Sequence, residues 1–335
     1  MAEYPIVSVL VPILNEEANL LSCLSALAQQ TYPKDRFEIL IADGGSTDSS
    51  LQIIKSFNDV LSITVIDNSE RKEAEWGKAL AFNASKGKYV QCVDADMTPS
   101  SPDFFLRLVS VLESDPSLAG IAAGYVPSPR LSVWSRFLSY DEFQRDPLFQ
   151  VLTPSMDKFV VERHADHDIC EFPTPRVPPM GGTTMLRREL VNLNRWGGRW
   201  SEIDGVAFLV KQGHQRFGYI TDIGWIHQHC TSLGQLLSKR RRNILGISHG
   251  FLHSSPERDF VWLDTSDRGE LMRLMAFIVS AQLIVPEFLK GIRDARAFRS
   301  WEQLLRPVVA LTIVDTLLYE FVRSREGRRF IRSMI

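Results

Sequence analysis

Tyr89-Val90-Gln91-Cys92-Val93 is an apolar run that passes directly into Asp94-Ala95-Asp96 and then into the breaker Thr98-Pro99. On an extended segment, residues i and i+2 point the same way, so two carboxylates at the end of a buried strand can reach one small region of space. Leaving them unpaired there is costly, and a Mg²⁺ or Mn²⁺ ion with bound phosphates would offset that cost. In isolation such a tripeptide caps a turn; the surrounding sequence favours the metal-site reading.

Fifty residues upstream, Phe37-Glu38-Ile39-Leu40-Ile41-Ala42 ends in Asp43-Gly44-Gly45-Ser46-Thr47-Asp48 and a helix-like stretch. Before it, Val7-Ser8-Val9-Leu10-Val11-Pro12 ends in Asn15-Glu16-Glu17 and another. Three strand, polar loop, helix units in the first hundred residues predict an α/β fold: a mostly parallel, Rossmann-like sheet flanked by helices, with the loops gathered at the carboxyl ends of the strands, where such sheets bind ligands. The covering helices are expected over 17–30, with Leu20, Leu24 and Leu27 at helical spacing, and over 103–113, with Phe104, Phe105, Leu108 and Leu112.

Val11 to Glu16 (Val-Pro-x-x-Asn-Glu), Asp43 to Asp48, Gly77 to Asn83 (Gly-Lys-Ala-x-Ala-x-Asn) and Asp94 to Asp96, in that order and spacing, resemble a family 2 glycosyltransferase with the GT-A fold. The resemblance is strong over about residues 5 to 100. It implies that Asp43 contacts the nucleobase, with Gly44 allowing close approach, and that Pro12, Asn15 and Glu16 cradle the nucleoside. Lys78 would meet the diphosphate as a point charge. Asp96 is implied as the direct ligand of a Mn²⁺ or Mg²⁺ ion, with Asp94 and Ala95 contacting the sugar or ribose and Asp94 also available to the metal. The ion would neutralise charge on the departing nucleoside diphosphate.

Further along, Met180-Gly181-Gly182-Thr183-Thr184 is similar to the family's glycine-containing strand beside the acceptor pocket, which makes Gly181, Gly182 and Thr183 the acceptor candidates. The family's Glu-Asp base motif is replaced by Glu202-Ile203-Asp204. Counting back from Gly213 puts Glu202 in the base position, whereas chemical type favours Asp204. His227, in Ile226-His227-Gln228-His229, is a candidate to complete the metal sphere. Lys239 or Arg242, in the run Lys239-Arg240-Arg241-Arg242, is a candidate to close over the diphosphate.

Composition bounds the rest. A 335-residue chain with 44% hydrophobic residues and a net charge of −2 is an ordinary folded protein. Cys23, Cys92, Cys170 and Cys230 have no paired spacing, so neither a disulfide framework nor a zinc site is implied, and a reducing compartment is expected. No signal-peptide succession opens the chain, which leads to the expectation of a cytoplasmic protein. Residues 239–335 carry 17 Lys and Arg against 11 Asp and Glu, a balance of +6 that leaves −8 for the remainder. No nucleic-acid module accompanies these cations, so a membrane surface of anionic lipid is the expected partner.

The organisation expected is a GT-A domain over 1–245, containing a Pro-rich insertion at 126–180, followed by a basic, amphipathic helical region over 246–335. Within the insertion, Arg163-His164-Ala165-Asp166-His167-Asp168 reads as a solvated loop rather than a metal site. Segments 271–289 and 303–322 are each about long enough to span a bilayer. Arg273, Ser280 and Glu287 in the first, and Thr312, Asp315, Tyr319 and Arg323 in the second, form polar stripes that favour helices lying in the interface at the cytoplasmic face.

These readings combine into metal-dependent, inverting transfer of a sugar from a nucleotide-sugar, UDP-sugars before GDP-sugars, to a hydroxyl of a lipid-linked or glycan acceptor. A polyprenyl-phosphate sugar synthase, which needs no general base, is the first alternative, and a non-catalytic sugar-nucleotide-binding scaffold the second. With no Gly-x-x-x-x-Gly-Lys-Ser/Thr loop and no Gly-x-Gly-x-x-Gly fingerprint, P-loop NTPases and dinucleotide dehydrogenases are not supported.

Overall fold

The computed structural model describes residues 4–245, 259–264, 266–323, 325, 328–329 and 332. Its backbone runs β1 (Val7–Ile13), α1 (Glu17–Ala28), β2 (Phe37–Asp43), α2 (Ser50–Lys55), β3 (Ser62–Asp67), α3 (Ala74–Ala84), β4 (Tyr89–Cys92), β5 (Met97–Pro99), α4 (Phe104–Ser114) and β6 (Gly120–Tyr125). It continues with α5 (Val133–Leu138), α6 (Pro147–Leu152), β7 (Val160–Arg163), β8 (His167–Glu171), β9 (Thr184–Arg187), α7 (Glu202–Lys211), β10 (Arg216–His227), α8 (Leu233–Leu245), α9 (Arg268–Leu283), α10 (Val285–Phe298) and α11 (Arg306–Arg323). The described residues form two compact units, Met1–Val126 with Met156–His227, and Pro127–Ser155 with Gln228–Ile335.

The first unit is built on one sheet in the order β3-β2-β1-β4-β9-β6-β10-β8-β7, with β5 pairing β10. Every residue of β1 is buried, as a near-continuous apolar strand at the centre of a parallel region must be. Strands β3, β2, β1 and β4 are mutually parallel, as expected. Beyond β4 the sheet is mixed, because β9 runs antiparallel to both β4 and β6. The sequence reading of three units omitted β3, an edge strand with four of its six residues exposed and none buried.

The Pro-rich stretch 126–180 is not one insertion. Residues 127–155 pack with the C-terminal helices, and 156–180 return to the sheet as β7 and β8. The stretch Arg163 to Asp168, expected as a solvated loop, is the turn of a β-hairpin; it is closed by the Arg163–Asp168 ion pair at 3.1 Å and by His164 and His167 stacked 4.4 Å apart.

In the second unit, Asp146 caps α6 by accepting from the Leu148 and Phe149 amides at 2.9 and 3.1 Å, and it pairs with Arg240 on α8. Arg136 of α5 pairs with Glu302 at 2.6 Å, and α11 buries Val309, Ile313, Val314 and Leu317. The boundary expected at 245/246 therefore falls instead at 227/228, and residues 246–258 of the expected helical region lie outside the described residues.

Segment 271–289 is not continuous. It breaks at Ile284 into α9 and α10, bent by 91°. Pro286 is the cause: it has no N–H to continue the ladder of α9, and it sits where a proline is tolerated, in the first turn of α10. No single described helix is long and apolar enough to cross a membrane, although the bent pair passes that test when taken together.

Candidate active site

Four loops meet at the carboxyl ends of β1, β2, β3 and β4. Asp43 closes β2 with 8% of its surface exposed, and its carboxylate accepts from the Ser46 amide at 3.0 Å and the Ser46 hydroxyl at 2.6 Å, which fixes the Gly44-Gly45 turn. A Cβ on Gly44 would lie 3.3 Å from the Ile13 carbonyl oxygen, so the absent side chain is what lets this turn approach β1. Asn15 adopts a positive φ of 56° and accepts from the Thr47 amide at 2.8 Å. Glu16 donates its amide to the Ser50 hydroxyl at 2.9 Å. These bonds sew the first loop to the second. Pro12 lies inside β1, buried rather than on the loop, opposite Ala42.

Gly77 explains how α3 reaches the site. A Cβ there would meet Ala42 Cβ at 3.1 Å, Asn68 Nδ2 at 3.2 Å and Pro12 Cβ at 3.3 Å, so only glycine lets the helix sit this close to β1 and β2. The next residue, Lys78, is consequently delivered into the interior. Its ammonium stands 2.7 Å from Glu202 Oε1 and 3.3 Å from Asp94 Oδ1. Burial opposes the lysine charge, but Asp94 and Glu202 outweigh it and hold the ammonium well above the usual lysine range.

The two aspartates are not related by strand alternation. Strand β4 ends at Cys92, and Asp94 to Met97 form a turn closed by the Met97 amide on the Asp94 carbonyl at 2.9 Å. The turn separates the carboxylates: Asp94 faces Lys78, and Asp96 Oδ1 lies 3.2 Å from His227 Nε2. The antiparallel register of β5 with β10 sets His227 opposite Met97, one residue from Asp96. Ala95, between the aspartates, is buried.

Glu202 and Asp204 both fall in the first turn of α7, but their surroundings differ. Glu202 joins Lys78 and Asp94, whereas Asp204 is only 1% exposed. Gly181 to Thr183 form a 3₁₀ turn before β9 rather than a strand, because the chain must bend around α7. A Cβ on Gly181 would press on Ile203 Cγ1 at 2.8 Å, while one on Gly182 would lie 3.6 Å from Glu202 Oε1. Gly182 is therefore the acceptor candidate that abuts Glu202.

Three residues went unnoticed in the sequence. Gln91 on β4 is fully buried and donates to the Gly182 carbonyl at 2.8 Å, tying the glycine turn to the strand. The ring of Tyr125, at the end of β6, lies 5.2 Å from that of His227, and burial together with Asp94 and Asp96 pushes its hydroxyl far above the ordinary tyrosine range. Asn68, just after β3, donates its amide to the Asp43 carbonyl at 2.8 Å, and its buried side-chain oxygen has no hydrogen-bond partner. The polar pair Asp67-Asn68 straight after the β-branched run Ile63 to Ile66 was the available signal. Lys239 and Arg242 belong to the second unit, where Lys239 donates to the His229 carbonyl at 2.5 Å and Arg242 is exposed.

Three carboxylates against one ammonium give the site an anionic field, felt also at Cys23, whose thiol is pushed up to about 12 by burial and then by Asp96 and Asp94. No group of three or more His, Cys, Asp or Glu converges as a complete metal cage among the described residues. The Asp96–His227 pair nevertheless fits one edge of a coordination sphere: cis ligands with bonds of about 2.1 Å stand about 3 Å apart. Mg²⁺ and its relatives commonly take one or two protein ligands and complete the sphere with phosphate and water.

Known proteins share part of this sequence and its fold. Residues 8–168 match the family described as glycosyl transferase family 2. The chain is 35% identical over 98 residues to glycosyltransferase AglE of Haloferax volcanii, covering 28% of this chain and 32% of that protein. Over 126 residues it is 31% identical to the dolichyl N-acetyl-alpha-D-glucosaminyl phosphate 3-beta-D-2,3-diacetamido-2,3-dideoxy-beta-D-glucuronosyltransferase of Methanococcus voltae, covering 34% of this chain and 37% of that protein. The matched stretches thus span about a third of the length of these relatives. The mannosyltransferase PcManGT of Pyrobaculum calidifontis, solved with GDP-Man and Mn²⁺, superposes with a TM-score of 0.53 at 18% identity, over 95% of this chain and 88% of that one. Residues 8–168 thus match glycosyl transferase family 2, on a mixed α/β sheet of the GT-A fold.

Proposed function

We propose that this protein transfers a sugar from a nucleoside-diphosphate donor to a hydroxyl of a lipid-linked or glycan acceptor, with inversion at the anomeric carbon. The observation that carries the proposal is the Lys78 ammonium held between Glu202 and Asp94, beside the Asp96–His227 pair. Glu202 takes the proton of the acceptor hydroxyl; the acceptor oxygen forms its bond to the anomeric carbon; the bond from that carbon to the diphosphate oxygen breaks, and the nucleoside diphosphate leaves with the electron pair. Lys78 stabilises negative charge on the diphosphate side and keeps Glu202 oriented. Asp96 and His227, with Asp94 near them, would hold a Mn²⁺ or Mg²⁺ ion, which supplies Lewis-acid neutralisation of the leaving group. Asp43 and Asn68 offer acceptors to the base, with UDP-sugars favoured over GDP-sugars; Gly181, Gly182 and Thr183 border the acceptor.

Glu202 is preferred to Asp204 as base because Asp204 is sealed from solvent. A relative named for transfer to a dolichyl-linked sugar phosphate supports a lipid-linked acceptor. The proposed location is the cytoplasmic face of a membrane, in keeping with four buried cysteines that form no disulfide and with the basic C-terminal region. The test is a thermal-shift screen against UDP-, GDP-, CMP- and dTDP-sugars, with and without Mn²⁺, on the protein and on a D94A/D96A double variant. Stabilisation by one nucleotide class, dependent on metal and lost in the variant, supports donor binding. Failure of all four at millimolar concentration would overturn it.

A further inference from the structure

We propose that the corner between α9 and α10 is a preformed wedge that inserts into one leaflet of an anionic bilayer; the proposal deepens the membrane part of the reading above and rests on it. The corner is apolar on its outside. Leu283 and Val285 are each 62% exposed, Met272 is 71% exposed, and Val279, Ile284 and Leu289 are open to solvent with them. Large apolar side chains gathered this way on a soluble surface mark an interaction site.

The inside of the corner is polar and locked. Glu287, fully buried, accepts from Ser280 of α9 at 2.7 Å, from Lys290 of α10 at 2.6 Å and from Arg306 of α11 at 2.9 Å. A Cβ on Gly291 would lie 2.7 Å from the Gln303 carbonyl oxygen, so α10 is seated as closely as backbone permits. The apex residue Ile284 holds φ 62°, a conformation that a β-branched residue adopts only when its surroundings force it. The protein thus holds a strained apolar apex in place rather than folding it inward.

Charge says what covers the apex. Moving away from it along each helix, the exposed surface turns basic: Arg273 and Arg268 follow Leu283 at ~15 and ~22 Å, and Arg293 and Arg296 follow Val285 at ~12 and ~16 Å, at a rise of ~1.5 Å per residue. Arg273 and Arg293 have acidic neighbours, Glu270 at 3.7 Å and Asp294 at 2.8 Å, while Arg296 and Arg299 make no ion pair among the described residues. Because the two helices meet at 91°, positions ~12–15 Å along the legs stand only ~8–11 Å above the apex, a depth that stays within one leaflet of the ~30 Å hydrocarbon core and leaves the long arginine side chains to reach up to the phosphates. A two-fold contact between two copies would bring the same arginine collars together, a like-charge arrangement that opposes a dimer.

The test uses the full chain and no sugar donor, so that lipid binding and sugar transfer fail separately. Co-flotation is measured with vesicles of phosphatidylcholine alone and with 30% phosphatidylglycerol, and NBD is attached through a Val285→Cys substitution. The expected result is binding to the anionic vesicles, a blue-shifted NBD emission quenched by brominated acyl chains, and at least a tenfold loss of binding in L283D/L289D. The charge variant R296E/R299E, at two arginines without an ion pair among the described residues, should lose binding to anionic vesicles while keeping its melting temperature. Flotation unchanged in L283D/L289D, NBD that stays unquenched, or a concentration-dependent dimer that L283D abolishes without vesicle binding would overturn the proposal.

Discussion

Lys78 Nζ lies 2.7 Å from Glu202 Oε1, joining a helix that packs on β1 and β2 to the first turn of α7. Both side chains are nearly buried; Lys78 is compensated by Asp94 and Glu202 together, so removing the lysine would leave two carboxylates crowded without their shared cation. The contact places the carboxylate that would take the acceptor proton beside the cation that would meet the donor.

Glu202→Gln should therefore lower kcat by ~10²–10⁴-fold while donor affinity, read by calorimetry, changes only a few-fold. Asp204→Asn should act mainly on stability, seen as a lower melting temperature with a far smaller loss of kcat. The opposite pattern would move the base to Asp204. Full activity in both variants would point to a phosphate acceptor that needs no base, as in a polyprenyl-phosphate sugar synthase.

The Asp96–His227 pair predicts where metal dependence resides. Mn²⁺ with nucleoside diphosphate at 100 times its Kd should stabilise the protein by ~2.7 kcal/mol. His227→Ala should remove most of the metal-dependent part in differential scanning calorimetry while leaving the fold in place. A variant that retains the full Mn²⁺ effect would exclude His227 as a ligand.

Much of this was legible in the sequence because the information was local. The runs ending at Asp43 and Asp94 are mainly apolar, interrupted only by Glu38 and Gln91, since they are central strands, and the loops after them carry the chemistry. What was not legible depended on partners distant in sequence. Strand β3 reads weakly because it is an exposed edge strand with none of its residues buried. The placement of Asp96 depends on His227, more than a hundred residues away, through the β5–β10 register. Residues 127–155 looked like part of an insertion until Asp146 met Arg240 and Arg136 met Glu302. Composition alone made 271–289 one segment, although Pro286 already marked its break.

Gly77→Ala offers a test of the packing argument by its sign. At an exposed helix interior this change stabilises by up to ~1 kcal/mol. Here the added methyl would be 3.1 Å from Ala42 Cβ and 3.3 Å from Pro12 Cβ, both on the sheet, and overpacking should cost ~1–3 kcal/mol. Urea unfolding measures it; a stabilised variant would mean that α3 has room to move.

The corner of the second unit should respond to acid through Glu287. Burial raises its pKa, but Lys290, Ser280 and Arg306 outweigh burial and hold it below the ordinary 4.5. A depressed carboxylate contributes stability that is present above its unfolded value and is lost as pH falls through the folded one. The melting temperature of the native protein should thus exceed that of Glu287→Gln at neutral pH, and the gap should narrow as pH drops below about 4.5. A gap independent of pH would mean the carboxylate charge is not what holds α9, α10 and α11 together.

Gly182→Ala separates folding from function at the acceptor side. Its new methyl would stand 3.6 Å from Glu202 Oε1, an ordinary contact, and the backbone there is not left-handed, so the fold should tolerate it. The same methyl would occupy space directly beside the proposed base, where an acceptor hydroxyl must come within hydrogen-bond reach. The melting temperature should stay within about 1 °C, because a methyl that meets no clash changes stability by only a few tenths of a kcal/mol. The value of kcat/KM for the acceptor should fall by at least ~10-fold, equivalent to ~1.4 kcal/mol of lost transition-state stabilisation, while the donor Kd holds. Unchanged acceptor kinetics would show that the hydroxyl approaches Glu202 from a direction that does not pass Gly182, and the acceptor channel would then have to be sought on the Lys78 side of the carboxylate.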